Sequence, residues 1–291
     1  MTWTAWRLQR PTLALGAATA AVVFAVVLAR RLLFGPEAAL FRGDYFDDAT
    51  VMLAALTCGF AVFATVSALA GPFERATREL DLTQSVSPAR WLLTRAGVAV
   101  GLSLGFTTAL LATRSLGNPN DYTPTWYDVF EFEAMPPVVF AATLLACAVG
   151  VVSALLLRRT LPALVVGVGA IGLLRIASTD LTPHLIPPKL VTHPVGSYLR
   201  QSVPSDVLVV DSGYLTRAGE YVARWGGGIT GQCVGAADNV ACLRAKGVVQ
   251  EWTAYHPASS YWPLQLAETG LLTGGALLLT GLAWWLARRG R

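Results

Sequence analysis

The sequence predicts an all-α polytopic membrane protein: six transmembrane helices, with a small mixed extracellular domain between helices five and six. Three observations carry that prediction. Of the 291 residues, 54% are hydrophobic and 14% are charged, against roughly 25% charged in an average soluble domain. Mean hydropathy is +0.52. The apolar residues come in blocks of about twenty, the length that crosses a hydrocarbon core about 30 Å thick. A soluble enzyme lacks the charge to cover its surface at this composition. Disorder is excluded by the aliphatic and aromatic content.

The blocks fall at residues 11–29, 49–70, 91–112, 137–157, 160–176 and 264–287. The first differs from a signal peptide in two ways. Its apolar stretch is too long, and Arg30-Arg31 stands where a small-residue cleavage site belongs. It reads as a retained helix. The fifth block is short for a span. Before the first, Trp3 and Trp6 lie three apart, as do Arg7 and Arg10. On a helix this gives an aromatic and a basic side, suited to the headgroup region; the alternative is a frayed tail with interfacial Trp anchors.

Orientation follows from Arg and Lys near the helix ends. With both termini cytoplasmic, the inner segments hold Arg7, Arg10, Arg75, Arg78, Arg90, Arg95, Arg158, Arg159, Arg288, Arg289 and Arg291, all close to span ends. Most of the other cations lie in one long outer segment, while Arg30, Arg31, Arg42 and Arg114 dissent. The net charge of +4 and pI near 9.0 are thus a membrane signature. With no Lys/Arg-rich run to track a phosphate backbone, nucleic acid is not an expected partner. The domains are then 1–176, an amphipathic N-terminal helix and spans one to five; 177–262, the extracellular domain; and 263–291, span six with a basic cytoplasmic tail. In the outer domain, residues 206–211 and 220–225 read as two strands joined through Arg217-Ala218-Gly219.

The four cysteines divide between compartments. Cys58 and Cys147 sit inside spans two and four as small apolar packers. Cys233 and Cys242 share the outer domain. An oxidising face permits a bridge closing a loop of about ten residues, adding roughly 2–3 kcal/mol; the alternative is two free thiols.

Several motif matches fail on context. Gly101-Leu-Ser-Leu-Gly105 has the form of a hydrolase elbow, which needs a strand-to-helix turn and a His partner. It lies inside span three, and His184, His193 and His256 are all in the outer segment. Gly97, Gly101 and Gly105 instead recur every fourth residue and share one helix face, a pattern that lets helices approach closely. Gly167, Gly169 and Gly172 match a dinucleotide fingerprint without its strand or later acid, and read as a second packing face, within the chain or at a subunit interface. A phosphate-binding loop needs Lys after Gly. Lys189 follows Pro188 and Lys246 follows Ala245, so any ATP is bound by another chain. The three histidines match no zinc spacing.

The longest inner loop, residues 71–90, begins with Phe73-Glu-Arg-Ala-Thr-Arg-Glu-Leu80. Phe73, Thr77 and Leu80 share a helical face, with Glu74, Arg78 and Glu79 among their charged neighbours. Ser87-Pro88 suits the N-cap and first position of span three. The loop reads as a solvated connector or as a docking element for a cytoplasmic partner.

Arg78-Glu-Leu-Asp-Leu-Thr-Gln-Ser-Val-Ser-Pro-Ala-Arg-Trp-Leu92 resembles the loop after the second span in permease subunits of type-2 ABC exporters, especially those of high-GC Gram-positive bacteria. Arg158-Arg-Thr-Leu-Pro-Ala163 is similar to the same group, as is Tyr255-His-Pro-Ala-Ser-Ser-Tyr-Trp-Pro-Leu-Gln-Leu-Ala-Glu-Thr-Gly270. The resemblance extends along the chain and agrees with six spans. It implies a permease subunit of an exporter in the bacterial cytoplasmic membrane. It also implies a coupling helix around Phe73, Glu74, Arg78, Glu79 and Leu80, docking on a separate ATP-binding subunit. ATP and Mg would belong to that subunit, and this chain would hold no cofactor or catalytic residue of its own. A second permease copy, or a related permease, would complete the transporter. The large outer domain departs from the shortest members of the group. The rival reading is a sensor or scaffold whose outer domain binds a ligand or protein without transport.

One pairing follows from depth. Arg175 lies fifteen residues into span five, about 22 Å from its inner end at 1.5 Å per residue. Glu268 lies four residues into span six from the opposite side, about 6 Å deep. The two reach nearly the same level and could pair. Otherwise each snorkels outward alone, Glu268 helped by its helix N-terminus.

Overall fold

A computed structural model describes residues 7, 9–34, 45–74, 87–117, 126, 129–196, 204, 206–223, 233 and 238–289. The chain divides into two compact units. One takes Met1–Pro124, Phe130–Thr179 and Leu266–Arg291, the other Thr125–Val129 and Asp180–Gln265.

Six helices in the described residues are long and apolar enough to cross a membrane. They are α1 (Arg10–Phe34), α2 (Tyr45–Glu74), α3 (Pro88–Gly117), α5 (Val138–Leu157), α6 (Thr160–Leu181) and α8 (Tyr261–Arg289); a short helix, α4 (Val129–Glu133), precedes α5. The chain is a multi-pass membrane protein. Lipid cannot satisfy backbone polar groups, so each crossing must be a helix that bonds itself. The fifth helix is longer than its apolar run. It continues past Ile176 to Leu181, and within this last stretch the Ser178 and Thr179 hydroxyls both donate to the Arg175 carbonyl, each at 2.9 Å. Pro183 then follows in a 3-10 turn.

Helix α5 is the central helix of the bundle: 83% of its most apolar window is buried, against 17% for α1, α6 and α8. It carries no charged residue between Val138 and Leu157. Its deepest contact is with α2. A Cβ placed on Gly150 would lie 2.0 Å from Thr65 Oγ1 and 3.2 Å from Val62 Cα, so only glycine fits where these helices cross. The Thr65 hydroxyl donates to Ala61 O at 2.8 Å, and the Thr107 and Thr143 hydroxyls meet at 3.0 Å between α3 and α5. These three hydroxyls are thus spent on a carbonyl or on each other.

Of the glycines expected to pack, Gly167 does so within this chain. Among the described residues, a Cβ at Gly97, Gly101, Gly105, Gly169 or Gly172 would meet nothing within 4 Å. Close packing within this chain is made at Gly16, where Phe60 Cζ would be 2.7 Å away, and at Gly150 and Gly167, the last against Val62. Gly101 and Gly105 instead line a groove of about 220 Å³ facing Gly16 and Ala17 of α1. Spacing places small residues on one face but does not supply the neighbour that would use it.

The second unit holds an antiparallel sheet of order β1-β4-β2-β3, with β1 (Lys189–Pro194), β2 (Leu208–Thr216), β3 (Tyr221–Ala223) and β4 (Val248–His256). The expected pair at 206–211 and 220–225 corresponds to β2 and β3. Its turn uses Gly219 at φ +82°, a left-handed conformation that favours glycine, and Gly219 N–H donates to Thr216 O at 2.9 Å. The central strand β4 and the edge strand β1 were absent from the sequence reading. They pair Lys189 with Tyr255, a partner far along the chain. A short helix, α7 (Asn239–Ala245), is capped by the Asp238 carboxylate, which accepts from Ala241 N at 2.9 Å.

Candidate functional site

Residues at the end of α2 tie three helices together. Phe73 meets Trp91, in the first turn of α3, edge to face at 6.0 Å between centroids. The Arg158 guanidinium lies 5.7 Å from the Phe73 ring. Arg158 ends α5 in the left-handed region at φ 53°, which turns the chain so that α6 begins at Thr160. The Glu74 carboxylate then accepts from Thr160 N at 2.7 Å and from the Thr160 hydroxyl at 2.8 Å. A carboxylate at a helix N-terminus satisfies an orphan N–H and complements the helix dipole. Ser87 caps α3 as its sequence suggested: Arg90 N donates to Ser87 Oγ at 3.3 Å and Trp91 N to Ser87 O at 3.0 Å. Two expected coupling residues, Phe73 and Glu74, therefore hold other helices. The remaining three, Arg78, Glu79 and Leu80, lie outside the described residues, as do Trp3 and Trp6.

At the other end of the bundle Arg175 and Glu268 meet. Arg175 Nη1 donates to Glu268 Oε1 at 3.3 Å and to Ser178 Oγ at 3.3 Å. A third member was missed from sequence. Arg175 Nη2 donates to Glu133 Oε2, and the Thr179 hydroxyl donates to Glu133 Oε1. The side chains are 13% exposed for Arg175, 8% for Glu133 and 0% for Glu268, so the cluster is largely buried.

Glu133 is supplied by α4, which works as a clip. Residues two apart on a helix point to nearly opposite sides, so Glu131 and Glu133 reach different helices. Glu131 accepts from Arg114 Nη2 of α3 at 3.0 Å, and Glu133 reaches Arg175 of α6. Arg114, a dissenter in the charge count, is thereby explained. So is Arg31, whose Nη1 donates to Leu116 O at the C-terminal end of α3 at 2.6 Å. The signal in the sequence was the pair of acids placed just before an apolar span. Burial pushes the Glu133 carboxyl above its ordinary range, while Arg175 and the Thr179 hydroxyl favour its ionised form.

In the second unit Cys233 and Cys242 are joined by a disulfide, with Cα atoms 5.8 Å apart. It lies in a small core with Val195, Tyr214, Leu243 and Val248. Cys58 and Cys147 are free and buried in the bundle.

These features amount to a bundle braced at both ends. A family model described as ABC-2 membrane transporter related matches residues 36–182, just over half of the chain. No curated protein matches, and no solved structure does.

Proposed function

Because the chain belongs to the ABC-2 membrane transporter related family, we propose that it is the permease subunit of an ATP-driven exporter in a bacterial cytoplasmic membrane. Its reaction is movement of a substrate, and ATP hydrolysis takes place on a separate cytoplasmic subunit. Both termini and the Phe73 end of the bundle face that subunit. A second permease, identical or related, completes the transporter.

The observation that carries this reading is the match over spans two to five, taken with the bracing at the end of α2. The loop that follows Glu74 is the expected docking element, with Arg78, Glu79 and Leu80 on it. Glu74 bonds directly to the first residue of α6. Displacement of the loop by the ATPase would therefore be passed to α6 and to Arg175 at its far end. Each nucleotide state would favour one arrangement of the spans, inward-open or outward-open, through differential contacts.

Co-purification tests the reading. A tagged copy of this chain, purified from its native membrane, is expected to retain an ATP-binding subunit. Replacement of Glu79 and Leu80 should lower the stimulated ATP turnover without affecting membrane insertion. Normal complex formation and turnover after both replacements would overturn the coupling role. Absence of any ATPase partner, with ligand binding to the outer unit alone, would favour a sensor.

A further inference from the structure

A groove of about 300 Å³ runs between α2 and α6, and its polar end is formed by Glu133, Arg175 and Thr179. The remainder is apolar and opened by small residues. Ala54, Ala55 and Gly59 stand on the α2 side, and Gly172 on the α6 side. Val168, Gly172, Arg175 and Thr179 recur at spacings of three and four, so one face of α6 presents both the apolar floor and the charged end. Among the described residues, a Cβ at Gly59 or Gly172 would meet nothing within 4 Å. The space at these positions is not used for packing within the chain.

Charge selects the occupant. Arg175 is the only cation among the groove's lining residues, and its guanidinium donates to Glu133, Glu268 and Ser178 of its own chain. With both acids ionised the three-group cluster sums to −1; with either one protonated it sums to zero. An anionic headgroup therefore meets a neutral or negative site, and a cationic one meets a neutral or complementary site in surroundings where charge is weakly screened. The apolar walls take a hydrophobic body. We propose that this groove binds a lipophilic monovalent cation, its charge beside Glu133 and its apolar part between α2 and α6. That the bound cation is cargo rests on the transport reading above; the binding site itself does not.

The test uses the full chain in nanodiscs of zwitterionic lipid, without any ATPase. Tetraphenylphosphonium and tetraphenylborate have the same shape and opposite charge, and binding of each is measured by equilibrium dialysis and corrected with empty discs. The phosphonium is expected to saturate at one site per chain and the borate to show no saturable binding. Gly172→Leu fills the groove while leaving all three charged side chains in place, and should weaken phosphonium binding at least tenfold. Gly59→Leu, on the opposite wall, should do the same, and circular dichroism checks that each variant is folded. Equal saturable binding of both probes, no saturable phosphonium binding, or unchanged affinity in either folded glycine variant would overturn the proposal. A lipid chain held in the groove would give the second of these results. Because no ATPase is present, failure here leaves the transport reading standing, and failure to find an ATPase leaves this result intact.

Discussion

Replacing Arg175 by methionine would remove the cation that two buried carboxylates share. Glu268 is fully enclosed, and Glu133 is nearly so. Breaking a buried ion pair from one side costs about 3–5 kcal/mol, because the partner's charge stays uncompensated. Here two partners are stranded, but each can take up a proton, so the same range serves as the expectation. For a chain of this size that corresponds to a fall in melting temperature on the order of 10 °C. Scanning fluorimetry of the purified chain in detergent reads it. The decisive comparison is the triple variant Arg175→Met, Glu133→Gln, Glu268→Gln, which removes the stranded charges and should recover most of the loss. Exchanging only Arg175 and Glu268 should not recover it, because Glu133 would then face a new carboxylate at position 175. An Arg175→Met variant that melts within about 2 °C of wild type, or a triple variant no more stable than that single one, would refute the reasoning.

Glu74→Ala removes the acceptor for both Thr160 donors and should cost about 1 kcal/mol, in the lower part of the capping range because the site is exposed; an unchanged melting temperature would count against the clamp. Mass spectrometry of non-reduced peptides should recover Cys233 linked to Cys242, and replacing both by serine should destabilise the outer unit by roughly 2–3 kcal/mol; two free thiols in protein purified without reductant would contradict the bridge. Burial raises the Glu133 carboxyl, so its contribution to stability is complete below the unfolded value of about 4.3 and is lost as pH rises through the folded value. The melting-temperature advantage of wild type over Glu133→Gln should therefore shrink as pH rises above about 4.3, and a constant difference would contradict it.

The parts of this molecule that one dimension governs were legible in the sequence. Apolar runs long enough to cross lipid identified the six helices, because no other regular single-chain segment satisfies its backbone there. Ser87-Pro88 marked a helix start through local bonds alone. The depth of Arg175 and Glu268 followed from a fixed rise per residue, and the structure brings them together. Glu133 was not legible, since Arg175, the partner it meets, lies 42 residues further along the chain on another helix. Strands β1 and β4 were missed for a similar reason: Lys189 pairs with Tyr255, and no local periodicity encodes a partner at that separation. The glycines show the limit most directly. Gly150 and Gly101 are equally bare in sequence, yet one sits against Thr65 and the other opens a groove.

The connection from Leu157 to Thr160 leaves only Arg158 and Arg159 between two long helices, a reach of about 7 Å for each such pair of residues. It has no slack, so α6 cannot slide lengthwise past α5 without unwinding a turn. Tilt about the Thr160 end is the motion that remains, which makes this end a fulcrum and the Arg175 end the tip of a lever. With an arm of about 22 Å, a tilt of roughly 10° carries Arg175 about 4 Å. That displacement exceeds the tolerance of any of its hydrogen bonds. A small rotation imposed where Glu74 grips Thr160 is thus sufficient to part Arg175 from both of its acids at once.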